Sequence, residues 1–152
     1  MLVVVEEEKL VARPVEVVRA QFVDMAHHAR TGVHAALAFS DVRTEGPVCR
    51  LTARRRVLGM TQVDEIEVER FASGDSELRS VAGANAGLVI RQRFEAEGPE
   101  VTRVRLRVEL PARGWKALLA PLLKLGLRQD TRTALEEDRR DLEERGYPRP
   151  SG

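Results

Sequence analysis

The feature that most constrains the fold is an alternation of apolar and polar side chains along residues 47–58, 61–71, 87–97 and 101–110. The clearest run consists of Arg103, Val104, Arg105, Leu106, Arg107 and Val108. Because successive side chains of a β-strand point to opposite faces, this period of two predicts strands with one apolar and one charged face. Glycine-containing breaks separate the runs at intervals suited to hairpins. The sequence therefore predicts an antiparallel meander.

A strand and short helices are predicted before this meander. Residues 2–12 are rich in valine and favour a strand, and Pro14 suits the first position of a helix. Apolar residues then recur at helical spacings of three and four, at Val15, Val18, Phe22 and Met25. For residues 27–32 we expect a second helical turn or a loop.

A long amphipathic helix is predicted after the meander. Leucines recur between residues 115 and 127, and residues 136–145 are highly charged. Pro121 lies inside this pattern, where a proline removes a backbone hydrogen bond. We therefore expect a kinked helix, unless the helix begins at Pro121.

Length and composition favour one domain. The chain has 152 residues, of which 43% are hydrophobic, and its formal net charge of +1 gives no general attraction to nucleic acids or anionic membranes. We expect a domain over residues 1–147 and a C-terminal tail over residues 148–152. Cys49 is the only cysteine, which excludes an intramolecular disulfide and a multi-thiolate zinc site. Because we find neither a signal-peptide pattern nor an apolar run of about 18 residues, we expect a cytoplasmic protein.

This order of elements implies an α+β fold, in which a curved antiparallel sheet of about seven strands wraps around the long C-terminal helix. The strand-to-helix entry at residues 10–18, the run of strands and the closing helix at residues 134–147 together resemble the START-like (SRPBCC) superfamily of helix-grip proteins. That superfamily includes polyketide cyclases, lipid-transfer proteins and pollen-allergen-like ligand carriers. Its members hold a cavity between sheet and helix, and the resemblance, which covers nearly the whole chain, implies one here.

Four polar residues interrupt the apolar face of the predicted sheet: Arg55, Gln62, Asp64 and Gln92. A buried polar group without a hydrogen-bond partner costs about 1 to 3 kcal/mol, so each of them needs a partner. The hairpin near residues 58–60 would place Arg55 opposite Gln62 or Asp64, where an internal ion pair or hydrogen bond would form. Alternatively, the four side chains line the cavity and orient the polar end of an apolar ligand.

The first functional hypothesis is a protein that encloses a small lipid-like or aromatic molecule between sheet and helix. The apolar wall is then expected to consist of Ile66, Ile90, Phe94, Val104, Leu106, Trp115, Leu119 and Leu122. The second hypothesis, which the resemblance supplies, is a cyclase or dehydratase that uses a pocket aspartate or histidine as general base, with Asp64 as the candidate. The third is a chaperone-activator-like interaction module, which a packed interior and an exposed apolar patch would favour. The ligand, any catalysed reaction and the formation of a homodimer are left open by the sequence.

The chain's three histidines, His27, His28 and His34, lie close together and follow Asp24. Asp24 and His27 match the first half of the iron-ligand motif of Rieske oxygenases, whose catalytic domain shares the helix-grip fold. A bound iron would have a site of two histidines and one carboxylate. The interval from His27 to His34 is longer than in that motif, however, and the chain has no cysteine-rich domain to deliver electrons. We therefore expect no metal and no cofactor, and we place the histidines near the rim of the cavity.

The charged face of the sheet is rich in arginine, at residues 54, 56, 91, 93, 103, 105 and 107. Such a pattern suggests a nucleic-acid surface, but Glu65, Glu67 and Glu69 lie on the same face, and cross-strand ion pairs explain it. Few aromatic residues that could stack on bases accompany the arginines. We therefore expect no nucleic-acid partner. Cys49, on the apolar face, is predicted to be a core residue.

Overall fold

The computed structural model describes residues 1–148, so most of the predicted tail, residues 149–152, lies outside the described residues. The strands are β1 (Leu2–Val11), β2 (Leu37–Glu45), β3 (Val48–Val57), β4 (Met60–Arg70), β5 (Ser76–Gly83), β6 (Val89–Gly98) and β7 (Val101–Pro111). The helices are α1 (Val15–Val23), α2 (Met25–Thr31), α3 (Trp115–Leu118) and α4 (Ala120–Glu143).

The seven strands form one antiparallel sheet in the order β1-β7-β6-β5-β4-β3-β2. Each consecutive pair from β2 to β7 is a hairpin, and β1 pairs with β7 at one edge. Helix α4 packs against the inner face of this sheet, since Leu135 and Leu142 belong to the same core cluster as Phe94 and Leu106. The predicted α+β helix-grip architecture is confirmed.

The core follows the predicted alternation. On β7, Thr102, Val104, Leu106 and Val108 are buried on the inner face, and the arginines between them point outward. One core cluster joins α1 and α4 to β6 and β7, and Phe22 and Phe94 meet there edge to face with ring centroids 5.1 Å apart. A second cluster joins Met25 of α2 to β3 and β4, and it contains Cys49 as predicted.

The two prolines that bear on the helices lie at helix starts. Pro14 occupies the N-cap position of α1, one residue earlier than predicted. Pro121 lies in the first turn of α4, where a missing N–H breaks no helical hydrogen bond. Of the two possibilities, a kink at Pro121 or a helix that begins there, the structure shows the second to within one residue: α4 begins at Ala120, and Leu119 separates it from α3. No helix within residues 1–148 is both long enough and apolar enough to cross a membrane.

Candidate functional site

Helix α4 differs in burial between its two halves. Between residues 120 and 130 no side chain is buried, whereas the second half buries Thr131, Leu135, Asp138, Asp141 and Leu142. The second half is tied to β1 by ion pairs, among them Lys9 to Glu136 at 2.7 Å. Over residues 1–148, no hydrogen bond or ion pair joins residues 115–127 to the sheet. The first half of α4 is therefore held to the sheet less firmly than the second half, by the partly buried Leu123 and Leu127 and by ion pairs of Arg128 and Asp130.

Exposed apolar side chains concentrate at one end of the molecule. The strand register places the start of β1, the end of β7 and the β3–β4 turn at the same end of the sheet, and α3 and the start of α4 follow β7 directly. This end carries Met1, Leu2, Leu58, Met60, Trp115, Leu118, Leu119 and Leu122, which we call the apolar mouth. Leu58 is 98% exposed and Leu118 is 85% exposed. Exposed apolar patches that are contiguous typically mark binding surfaces.

Three of the expected wall residues belong to this mouth. Trp115, Leu119 and Leu122 are 67%, 41% and 66% exposed, so they lie at the open end of the molecule, and their place in the wall of a ligand site stays a prediction. The chain breaks at Leu119 between α3 and α4, and α3 buries none of its side chains. The rest of the expected wall, namely Ile66, Ile90, Phe94, Val104 and Leu106, is buried or partly buried in the core.

A small pocket lies on the inner side, between α4 and the strands β2 and β3. Its volume is about 60 Å³, and Leu37, Arg55, Asp130 and His34 are among the residues that line it. Arg55 reaches across to α4, where its Nη1 atom lies 2.9 Å from Oδ2 of Asp130. The register places Gln62 opposite Arg55 on β4. Arg55 therefore forms its ion pair with Asp130 of α4 rather than the expected internal pair with Asp64.

Asp64 is fully engaged by the turn that follows β5. Its Oδ1 atom accepts hydrogen bonds from Ser80 Oγ at 3.0 Å and from the backbone N–H of Asn85 at 2.7 Å, and Oδ2 accepts from Asn85 Nδ2 at 3.0 Å. Gly83 makes this close approach possible, because a Cβ atom there would lie 2.1 Å from the carbonyl oxygen of Val63. Asp64 thus organises the β5–β6 turn, which is a structural role.

Gln92 is also satisfied within the core. It is buried, and its Oε1 atom accepts a hydrogen bond from Ser76 Oγ at 2.5 Å. Ser76 lies directly opposite Gln92 in the β5–β6 pair. Of the four polar exceptions, only Arg55 and the half-buried Gln62 lie near the inner pocket or the mouth.

The three histidines meet two buried aspartates of α4, and we call these five residues the histidine cluster: His27, His28, His34, Asp138 and Asp141. His27 Nε2 lies 2.7 Å from Asp141 Oδ2, and His28 Nε2 lies 3.1 Å from Asp138 Oδ1. His34 Nε2 lies 3.5 Å from the same oxygen of Asp138. His27, His28 and both aspartates are buried, so the cluster lies inside the fold rather than at the expected rim.

Gln21 and Glu137 complete the surroundings of the cluster. Gln21 Nε2 donates to Asp138 Oδ1 and to Asp141 Oδ2, at 3.0 Å in each case. Glu137 Oε1 lies 3.2 Å from His34 Nδ1. His28, His34 and Asp138 each offer one potential metal-ligand atom, and these three atoms lie within 4.8 Å of one another. Such an arrangement could hold a metal ion.

The charges of the cluster shift the protonation of its members. Burial disfavours the charged form of His34, but the carboxylates of Asp138 and Glu137 outweigh it and raise the pKa of His34. Burial likewise opposes ionisation of Asp138, yet the nearby charge of His34 and the hydrogen bond with His28 lower the pKa of Asp138. The hydrogen bond with His34 lowers the pKa of Glu137. The ionised carboxylate of Asp138 and the charged form of His34 thus stabilise each other.

The aspartates of α4 and Gln21 were missed in the sequence analysis, although a signal for the aspartates exists. The inward stripe of α4 runs through Thr131, Leu135, Asp138 and Leu142 at spacings of three and four. An aspartate within such a stripe must be buried and needs a partner. Histidines are suitable partners, and the chain has only three.

Ion pairs account for the arginines on the outer face of the sheet. Arg105 lies 3.2 Å from both Glu8 and Glu95 on the neighbouring strands, and Arg103 lies 2.7 Å from Glu97. An open groove of about 820 Å³ runs between these charged side chains on β1, β6 and β7. Because seven of its eight lining residues are charged, the groove offers little apolar surface to a hydrophobic ligand.

Comparisons with known proteins extend the description of the fold. No protein-family model matches the chain, and no curated protein matches it. Among solved structures, the protein TTHA0849 from Thermus thermophilus superposes with a TM-score of 0.81 at 20% identity, covering 94% of this chain and 99% of that one.

Two further solved structures carry functional names. The Zhui aromatase/cyclase from Streptomyces sp. R1128 has a TM-score of 0.73 at 14% identity, covering 96% of this chain and 99% of that one. A START superfamily protein from Mycobacterium smegmatis has a TM-score of 0.69 at 16% identity, covering 93% of this chain and 95% of that one. At these identities the likeness establishes architecture rather than activity. The chain therefore has the START-like helix-grip fold.

Proposed function

We propose that the protein binds a small apolar molecule, lipid-like or aromatic, which enters through the apolar mouth between α3, the first half of α4 and the sheet. The observation that carries this proposal is the concentration of exposed large apolar side chains at that end. Keeping leucine and tryptophan side chains in water is unfavourable, and a side chain such as Leu122 gains about 1.5 to 3 kcal/mol when it is fully buried. A bound apolar molecule would supply that burial.

Size determines how such a molecule binds. Pockets for small ligands usually have volumes of about 300 to 1,000 Å³, and the inner pocket has about 60 Å³. The ligand therefore enters only when the first half of α4 moves away from the sheet. That half has the freedom to move, because the buried contacts of α4 begin at Thr131.

The polar end of the ligand would meet Arg55 and Asp130. Their ion pair lies in the inner pocket, and the two side chains are 37% and 47% exposed. A partly exposed ion pair contributes little to stability, so exchanging it for a contact with a ligand costs little. Gln62, opposite Arg55 on β4, is the neighbouring polar contact.

Trp115 provides the test, because it is the chain's only tryptophan and lies in the mouth. Titration with oleate below its micellar concentration, and separately with 1-anilinonaphthalene-8-sulfonate, should shift Trp115 emission saturably to shorter wavelength as the indole leaves water. Leu122→Gln should weaken binding about tenfold, since a tenfold change corresponds to about 1.4 kcal/mol.

Leu10→Gln is the matched control. Leu10 is 50% exposed on the outer face of β1, opposite Arg103, so the same substitution should leave the affinity unchanged. Equal losses in the two variants, or a titration without a saturable shift, would refute the proposal.

The exposed patch also favours a second candidate, the interaction module. A folded protein that binds neither probe would favour this candidate over ligand binding. In that case the mouth would be a contact surface for another protein.

A further inference from the structure

We propose that His28, His34 and Asp138 form a binding site for one divalent transition-metal ion of the Zn²⁺, Co²⁺ or Fe²⁺ class. Metal binding in this buried cluster does not depend on ligand binding at the mouth. A metal site here would overturn our expectation of no metal, which rested on the interval from His27 to His34 and on the lack of a cysteine-rich domain. The structure selects a different trio, in which α2, the segment after it and α4 each contribute one residue.

The distances between the three side chains fit a shared ion. Two ligand atoms that each lie about 2.0 to 2.1 Å from an ion in tetrahedral or octahedral geometry are about 2.9 to 3.4 Å apart. Oδ1 of Asp138 lies 3.1 Å from His28 Nε2 and 3.5 Å from His34 Nε2. Small side-chain movements therefore suffice to bring all three to an ion.

The hydrogen bonds of the imidazoles orient their Nε2 atoms toward Asp138. His28 Nδ1 lies 2.9 Å from the backbone carbonyl oxygen of Asp24, which can only accept, so Nδ1 carries the proton. The Nδ1 atom of His34 faces Glu137 at 3.2 Å. The Nε2 atom of each imidazole therefore faces a carboxylate oxygen of Asp138, where a metal ion would take the place of a proton on Nε2. Metal-binding histidines are held in this way by a carbonyl or carboxylate on the other ring nitrogen.

Charge and unsatisfied polarity favour the same conclusion. In residues 1–148, neither Asp138 nor Asp141 forms an ion pair with a lysine or arginine, although both are buried. Gln21, which donates to both aspartates, has a fully buried Oε1 atom without a hydrogen-bond partner. The cationic groups that pair with these two carboxylates within residues 1–148 are therefore imidazoles, and a divalent ion could replace their protons as the counter-charge.

Three protein ligands leave coordination positions open, as in catalytic rather than structural metal sites. His34 lines the inner pocket, so a water molecule or a small oxygen ligand could reach the ion from there. Histidine nitrogens with a carboxylate suit Zn²⁺, Co²⁺ and Fe²⁺ better than Mg²⁺ or Ca²⁺.

The test uses chelator-treated wild-type protein, titrated with Zn²⁺ by calorimetry and with Co²⁺ by visible absorption. We expect one ion per chain for each metal. His34→Gln, at the partly exposed edge of the site, should weaken Zn²⁺ binding by more than about 100-fold, because loss of an outer-shell partner alone costs about 10 to 100-fold. Glu144→Gln is the matched control, since Glu144 lies at the C-terminal end of α4 outside the cluster with a side chain that is 60% exposed, and this variant should bind Zn²⁺ normally.

A second measurement keeps the test decisive if His34→Gln fails to fold. The chain has three histidines, so their ring signals in wild-type NMR spectra can be followed during Zn²⁺ addition. The signals of His28 and His34 should shift together and saturate at one equivalent. A folded wild-type protein that binds no Zn²⁺, or binding that leaves these two signals unmoved, would overturn the proposal.

Discussion

The first half of α4 carries leucines into solvent, whereas the second half carries aspartates into the interior. Leu122 and Leu125 are 66% and 64% exposed, while Asp138 and Asp141 are 4% and 2% exposed. Both halves belong to one continuous helix, so the difference arises from what each half meets. The second half packs against α1, α2 and the sheet, whereas the first half buries no side chain and forms ion pairs to the sheet through Arg128 and Asp130.

The second half of α4 therefore contributes mainly to stability, and the first half contributes to the proposed ligand binding. Buried contacts of the second half hold α4 to the sheet and to the two short helices, so substitutions there should affect folding. Substitutions in the first half should leave folding intact and affect binding. Paired substitutions in the two halves test this division, beginning with the largest effect.

Asp141→Ala should destabilise the fold by about 3 to 5 kcal/mol, because it leaves His27 and Gln21 buried without their shared acceptor. Urea unfolding followed by circular dichroism measures the change. Asp130→Ala removes a partly exposed ion pair from the other half of the helix and should cost no more than about 1 kcal/mol. Equal costs would contradict the division between the two halves.

Leu142→Ala and Leu125→Ala form a second matched pair. Leu142 is fully buried in the core cluster, so its truncation should cost about 2 to 5 kcal/mol. Leu125 is exposed, so the same change should alter stability by less than about 0.5 kcal/mol. Thermal unfolding of both variants measures the difference, and a large cost at Leu125 would show that the first half is packed in solution.

The fold was predictable because its signals are local and repeated. Alternation along each strand set the inner face, and turn residues set the hairpins, so the order of elements followed directly. The sequence left a break before α4 open, because a proline within an apolar helical pattern is compatible with a kink as well as with a new start. Which of these occurs depends on tertiary contacts.

The candidate sites were predictable only in part, because they depend on which elements meet. Arg55 was identified as an exception on its face, but its partner Asp130 is 75 residues away on another element. Asp64, like Arg55, is a charged residue on the apolar face of its strand. Its role depends on hydrogen bonds from Ser80 and Asn85, which the fold of the β5–β6 turn brings to its carboxylate. The histidines were recognised as a group, but their partners lie more than 100 residues later.

Tyr147→Phe tests the anchor that follows α4, at the end opposite the mouth. Tyr147 is buried and its hydroxyl donates to Asp24 Oδ2 at 2.7 Å, so its removal should cost about 1.5 to 3 kcal/mol at neutral pH. Burial and the hydrogen bond with Asp24 raise the pKa of Tyr147. A raised folded-state pKa gives stability that is complete below the unfolded pKa of about 10 and is lost as pH rises above it.

Wild-type and Tyr147→Phe proteins should therefore converge in stability as the pH increases beyond about 10. Because Tyr147 is the only tyrosine, ultraviolet absorbance of tyrosinate follows it directly. Ionisation should occur at higher pH in the folded protein than in the urea-unfolded chain. Coincident titration curves would show that the hydroxyl is exposed to solvent and does not anchor the chain.

The smallest expected effect on stability is that of Leu122→Gln. A glutamine at this exposed position should change the free energy of unfolding by less than about 0.5 kcal/mol, since the leucine makes no buried contact. Together with the expected tenfold loss of probe affinity, this result would show that Leu122 contributes to binding and not to folding. If Leu122→Gln instead destabilised the protein by as much as Leu142→Ala, the first half of α4 would belong to the core, and the mouth would be closed in solution. Measuring unfolding and probe binding on the same preparation distinguishes these outcomes.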